Sequence, residues 1–281
     1  MKPKQAIAIF ALFLATFISA SGFFFVKKGI ATLAPANLIF WRYLIASSLL
    51  SLLTFRHIQR NILKPGIFLG ALLFGNVLFQ YFGLETLPAS TTSFVMGLAV
   101  VLVPLFARSF NMRTWSAVGV ALLGIGVISL HSGFSIGLAW IFLGTICFSL
   151  YIILVGNYAN TYNLLTLIAI QCAVICILSG ILAWSQNSLS LPNEPKIWVY
   201  ISVLAIVNSV IGIFLQFYAQ KHLTHTTTAI IVSCEPIFAT LVAVVLLSEH
   251  LTWNFYLGSI LMFIAIVISE IKLVKPRAPE C

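Results

Sequence analysis

Glu235 is the residue whose chemistry stands out first. It sits in the apolar run from Thr226 to Leu247, long enough to cross a bilayer as a helix at roughly 20 residues per span. A carboxylate at that depth costs on the order of a few kcal/mol, and such residues usually face a protein interior or a water-filled cavity. Pro236 follows directly. It donates no hydrogen bond, so the Val232 carbonyl is expected to lose its helical partner. A break of this kind is tolerated in a membrane where protein or water re-satisfies the freed group. A polar pocket at Glu235 is one reading of the pair; a neutral, hydrogen-bonded glutamic acid that joins helices is the other.

Arg42, in IFWRYLIAS, lies about one and a half turns into another apolar segment. Its guanidinium is always charged and offers paired donors to a carboxylate or phosphate. Snorkelling to the interface or bonding helix-end carbonyls is the structural alternative. Asn76 and Gln80 are four apart, on one helical face, and Gln216 stands in a matching sequence further on. These side chains can bind a zwitterion without a charge penalty, or can join helices at about 0.6 to 2 kcal/mol. Tyr151 offers a mid-span hydroxyl. Lys27 and Lys28 are expected as interfacial anchors, with Lys27 placed to guard an outer mouth. Cys172 and Cys176 share a helix face without a histidine or carboxylate cluster, so no metal site is read there. His57, His131, His222, His225 and His250 fall near span ends, and neither a GxSG nucleophile nor an HExxH motif occurs. The residues thus predict neither an enzyme nor a cofactor site.

The elements that must position these groups are membrane helices. The chain has 281 residues, is 61% hydrophobic and only 7% charged, and contains no aspartate, where a soluble domain is about 25% charged. Ten spans are predicted, near 6–26, 36–54, 66–84, 88–107, 114–131, 136–156, 163–185, 197–219, 226–247 and 253–272. They leave no room for a separate soluble domain. The first resembles a signal peptide, but a cut after Ser21 would precede Phe23-Phe24-Phe25, and the segment has a counterpart later in the chain. The net charge of +9 sits mostly in short loops and does not point to nucleic acid. With the N-terminus in the cytoplasm, eleven Lys and Arg lie inside against three outside, so the positive-inside rule puts both termini in the cytoplasm.

The halves repeat. LFQYFGLETLPASTT from Leu78 parallels FLQFYAQKHLTHTTT ending at Thr228, with Gln80 on Gln216 at an offset of 136. FLATF from Phe13 parallels FLGTI from Phe142 at an offset of 129, which puts Arg42 on Gln171 and Gly22 on Tyr151. Five spans per half is odd, so the second half enters from the opposite side, and the repeat is inverted about an axis in the membrane plane. Such repeats enclose a site near the midplane that rocking exposes to either side. Pro104 and Pro236 both fall in a fourth span, but only 15 residues separate Pro104 from Gly119 against 22 from Pro236 to Gly258. The segment Leu105 to Arg113 is therefore short, and Glu249 has no partner there. Ala117, Gly119, Ala121 and Gly124 look like close-packing positions of the fifth span.

The stretch AQKHL…TTTAIIVSCEPIFATLVAVVLLSEHLTWNFYLGSILMFIAIVIS, with Glu235-Pro236, Glu249, Gly258 and the earlier Trp41-Arg42 pair, resembles the EamA repeat of the drug/metabolite transporter (DMT) superfamily over essentially the whole chain. The missing acidic residue after Pro104 departs from that pattern. The resemblance implies an all-α polytopic protein with ten transmembrane helices as two inverted five-helix repeats, here 1–132 and 133–281. It further implies a multi-pass protein of the bacterial inner membrane that exports or exchanges amino acids or related metabolites. The expected site is Arg42, Asn76, Gln80, Tyr151, Gln216 and Glu235. Helices one to four and six to nine are expected to line it, with five and ten outside. Glu235 would carry a proton or meet an amine. The partners are a small-molecule substrate and the lipid bilayer, with no cofactor and no nucleic acid. Export of lipid-linked, nucleotide-sugar or drug-like substrates is the nearest alternative, and a non-transporting structural subunit is the alternative of another class.

Overall fold

The computed structural model describes residues 3–54, 60–106, 112–132, 135–158, 161–223, 231–232 and 234–270. Those residues form helices and connecting turns, and no strand occurs among them. In chain order the elements are α1 (Pro3–Ile30), α2 (Pro35–Thr54), α3 (Arg60–Thr86), α4 (Ala89–Gly97), α5 (Ala99–Phe106), α6 (Met112–Ser132), α7 (Ile136–Tyr158), α8 (Leu164–Ser185) and α9 (Pro195–Val203). A π-helical segment, Leu204–Gly212, then joins α9 to α10 (Ile213–His222), and α11 (Glu235–Leu247) and α12 (Trp253–Glu270) follow.

Among the described residues, six helices are long and apolar enough to cross a membrane: Lys4–Ile30, Pro35–Thr54, Arg60–Thr86, Ile136–Gly156, Leu164–Ser185 and Pro195–His222. Shorter apolar helices, Ala89–Val103, Trp115–Ile128, Glu235–Leu247 and Trp253–Ala265, occupy the places of the other expected spans. Outward side chains such as Leu52, Trp184, Val245 and Trp253 are largely exposed, as suits a surface facing hydrocarbon and not water.

Local chemistry sets the ends. Pro35 and Pro195 open their helices, where a missing N–H costs nothing. Asn163 caps α8 by accepting from the Thr166 backbone N–H at 3.2 Å. The third helix begins at Arg60, ahead of the expected 66, because Pro65 falls near its start and frees only a carbonyl of the first turns. The expected 88–107 span is interrupted at Leu98, after Gly97. Pro236 also differs from expectation: it is the second residue of a helix that starts at Glu235, a position that tolerates proline. Thr227, Thr228 and the core of the short segment after Phe106 lie outside the described residues.

The helices pack α2 on α8, α6 on α12, α3 on α7, and α1 on both the α9–α10 rod and α11, with α4 against α11. The α6–α12 seam is tight. A Cβ on Gly124 would lie 2.9 Å from the Gly258 carbonyl, and one on Gly258 would lie 2.6 Å from the Gly124 carbonyl. Ala117 and Ala121 are buried, as expected of packing positions, but Gly119 faces open space.

Two side chains clasp the turn between α3 and α4. Lys27 of α1 donates to the Leu84 and Leu87 carbonyls, the latter at 2.9 Å, and so caps the end of α3. Glu249, just before α12, accepts from the Ala89 N–H at 2.7 Å, the Ser90 N–H at 3.2 Å and the Ser90 hydroxyl at 2.7 Å. A carboxylate on the free N–H groups of a helix start is favoured by both hydrogen bonding and the helix dipole. Lys27 is thus more than an interfacial anchor, and Glu249 has its partners in the other half of the chain.

Candidate functional site

A cavity of about 120 Å³ lies between α1, α2, α3, the α4–α5 break, α7, the π segment, α10 and the start of α11. Five of the six predicted site residues line it: Arg42, Asn76, Gln80, Gln216 and Glu235.

Arg42 is carried on α2, whose first turn is tied down when Asn37 and Trp41 donate to the Ser190 carbonyl at 3.0 and 2.9 Å. The residue is only 5% exposed, yet its guanidinium reaches the cavity. Nε donates to Ser209 Oγ at 2.8 Å, Nη1 to the Tyr81 hydroxyl at 2.6 Å and Nη2 to Asn208 Oδ1 at 2.7 Å. All three acceptors are neutral. The fork is held in place while its charge is left unneutralised by them, and three of its five N–H groups are engaged.

Glu235 opens α11 and faces α1, where Ser19 donates to its Oε1 at 2.6 Å. As the first residue of a helix it also lies where the free N–H groups favour a carboxylate. Gln80 donates to Met96 Sδ at 3.0 Å. Asn76, one turn before it, is 5% exposed and its Oδ1 has no hydrogen-bond partner. A buried amide oxygen of this kind is a ready acceptor for a polar ligand or a water.

Tyr151 is the predicted residue that the structure does not bring to the cavity. It is 2% exposed, and its hydroxyl donates to Gln171 Oε1 at 3.0 Å. Gln171 and its helix α8 contribute nothing to the lining, because α8 packs behind α2 and α3. The expectation that every helix of the first four in each half lines the cavity is corrected to that extent. Helices α6 and α12 stand outside, as expected.

Sequence reasoning missed Asn208, Ser209 and Ser19, and took Tyr81 only as a flanking aromatic. Asn208-Ser209 was detectable as a polar pair within LAIVNSVIG, the same signal that singled out Asn76. Nothing local marks Ser19, whose partner is 216 residues away.

Part of the lining falls into pairs at constant spacing. Asn76 with Gly212, Gln80 with Gln216, Met96 with Val232 and Ala99 with Glu235 are each 136 apart; Ser19 with Phe148 and Phe23 with Ile152 are each 129 apart. Ala99 and Glu235 are also the first residues of α5 and α11.

Comparison with known proteins agrees with this duplication. The model of the EamA-like transporter family matches residues 6–130 and again 135–270. An uncharacterized transporter of Archaeoglobus fulgidus is 28% identical over 275 residues, covering 96% of this chain and 88% of the relative. A second uncharacterized transporter of the same organism is 25% identical over 283 residues, covering 93% and 96%. A solved crystal structure at 16% identity superposes with a TM-score of 0.66 over 95% of this chain and 96% of the other, which shows a shared fold.

Proposed function

The chain belongs to the EamA-like transporter family, and from that premise we propose that this membrane transporter moves amino acids or related small zwitterions by alternating access. The observation that carries the substrate class is the pairing of two opposite charges on one cavity. Arg42 presents a fork fixed by neutral acceptors, suited to a carboxylate. Glu235 presents a carboxyl to the same space, suited to an ammonium group or a transferable proton. Asn76, Gln80 and Gln216 supply neutral polar contacts, while Phe23, Leu73, Val77 and Ile152 offer an apolar wall for a side chain. The volume of about 120 Å³ favours a small metabolite over the drug-sized or nucleotide-sugar alternative, for which sites of about 300 Å³ or more are usual.

Two inverted repeats, 1–132 and 133–281, give the mechanism. The paired lining supports them, as do the breaks at Leu98 and Cys234, 136 residues apart. The packing supports them too: α3 meets α7 as α1 meets the α9–α10 rod, and α2–α8 and α6–α12 pair like with like. A pseudo-two-fold axis through the cavity lets the halves exchange conformations and so expose it to either side. The distribution of Lys and Arg supports an inner-membrane protein with both termini in the cytoplasm. Protonation of Glu235 would couple transport, as an exporter or exchanger, to a proton gradient.

The test is uptake of radiolabelled amino acids into proteoliposomes loaded with unlabelled amino acid, with and without a pH gradient. Counterflow of an amino acid supports the proposal. Counterflow only of a nucleotide sugar or a cationic drug, with none of any amino acid, would refute the substrate class.

A further inference from the structure

Repeat-related positions in the two halves make one contact in two different ways. Gly22 and Tyr151 are 129 residues apart, as are Arg42 and Gln171. In the second half the Tyr151 hydroxyl itself donates to Gln171 at 3.0 Å, a neutral pair away from the cavity. In the first half, position 22 has no side chain, and Asn208 from the other half fills the place. A Cβ on Gly22 would lie 2.5 Å from Asn208 Nδ2. Both ends of that amide are engaged: Nδ2 donates to the Ile18 carbonyl at 3.0 Å and Oδ1 accepts from Arg42 Nη2 at 2.7 Å. Asn208 thereby ties the guanidinium to the backbone of α1.

Ser209, the next residue, accepts from Arg42 Nε at 2.8 Å. Consecutive side chains do not normally share a face of an α-helix. Here both reach one guanidinium from within the π-helical segment Leu204–Gly212. Ser209 Oγ also donates to the carbonyl of Leu204, five residues back, at 3.1 Å. Wide turns of this type are rare and are frequently found at functional sites.

We propose that Gly22, Asn208 and Ser209 are positioning residues that fix the Arg42 fork toward the cavity while leaving its charge available to a ligand. The functional side of this rests on the anion-binding role given to Arg42 above. An acidic residue at 208 would hold the fork equally well but cancel its charge. A tyrosine at 22, as in the other repeat, would fill the space that Asn208 needs.

The test is hydrogen exchange of the Arg42 Nε–H in full-length protein labelled with ¹⁵N-arginine and held in lipid nanodiscs. The resonance is assigned by its loss in Arg42→Lys. Wild type gives a protected signal. Ser209→Ala removes the Nε acceptor itself and speeds exchange at least about tenfold, the scale of losing one hydrogen bond to a charged group. Gly22→Ala, which displaces the amide, and Asn208→Ala, which adds no bulk and so folds without a clash, release Nη2, loosen the fork that holds Nε on Ser209, and speed the same exchange. Asn208→Asp restores protection, now through a carboxylate. Equal protection of Arg42 in wild type, Gly22→Ala and Asn208→Ala would overturn the proposal. No substrate is needed, so the result stands apart from the success or failure of any transport assay.

Discussion

The Ser19 hydroxyl of α1 donates to the Glu235 carboxyl of α11 at 2.6 Å, across 216 residues of sequence. This bond joins the two halves of the chain at the wall of the cavity, and it engages one carboxyl oxygen while leaving the other for a proton or an ammonium group. Any movement that separates α1 from α11 must break it, so the bond ties the Glu235 carboxyl to the relative position of these helices.

Glu235→Gln keeps an acceptor for Ser19 and removes the exchangeable proton. Accumulation driven by a pH gradient is expected to vanish, while counterflow at fixed pH of a substrate lacking a free amine persists. Parallel flux assays in proteoliposomes check this. Undiminished pH-driven accumulation in the variant would remove Glu235 from coupling.

Arg42→Ala leaves Tyr81, Ser209 and Asn208 without their donor. Affinity for a carboxylate ligand should fall about tenfold or more, on the scale of one charged hydrogen bond at about 1.5–3 kcal/mol. Ligand-induced thermal stabilisation of the purified protein measures it, since a ligand that binds only the folded state raises stability. Arg42→Lys should rescue little, because a single ammonium cannot reproduce the three-way fork.

Glu249→Ala uncaps α4. Loss of a helix cap costs about 0.5–2 kcal/mol, and the melting temperature should drop even without substrate. Glu249→Gln keeps an acceptor oxygen and should recover part of the loss. A melting temperature unchanged by Glu249→Ala would mean that the bonds to Ala89 and Ser90 contribute nothing.

Gly258→Leu forces side-chain carbon into the Gly124 backbone across the α6–α12 seam. Overpacking of this kind costs about 1–3 kcal/mol. Gly119→Leu, pointing into open space, is the control and should be nearly neutral in the same melting experiment.

Much of this architecture was legible in the chain because membrane helices leave long apolar runs and repeats leave fixed offsets. The offset of 136 that aligned Gln80 with Gln216 also relates Ala99 to Glu235, yet matching Pro104 with Pro236 hid that relation. The proline was the wrong marker: proline is tolerated at a helix start, so Pro236 sits where α11 begins, while α4 breaks at Gly97-Leu98 with no proline at all. Arg42, Asn76, Gln80, Gln216 and Glu235 were readable as polar groups in apolar segments. Tyr151 carried the same signal but meets Gln171, since a buried hydroxyl is satisfied equally well by a neighbouring helix as by a cavity. Ser19, Asn208 and the clasps of Lys27 and Glu249 depend on contacts between distant segments, which no local pattern encodes.

The most direct test of the central claim is counterflow of a radiolabelled apolar amino acid such as L-leucine in proteoliposomes, run beside its decarboxylated and its N-acetylated forms. Wild type should exchange the amino acid, Arg42→Ala should lose the preference for it over the decarboxylated amine, and Glu235→Gln should lose the preference over the N-acetylated acid. Exchange of all three forms at equal rates, unaltered by either substitution, would contradict a cavity that reads both ends of a zwitterion.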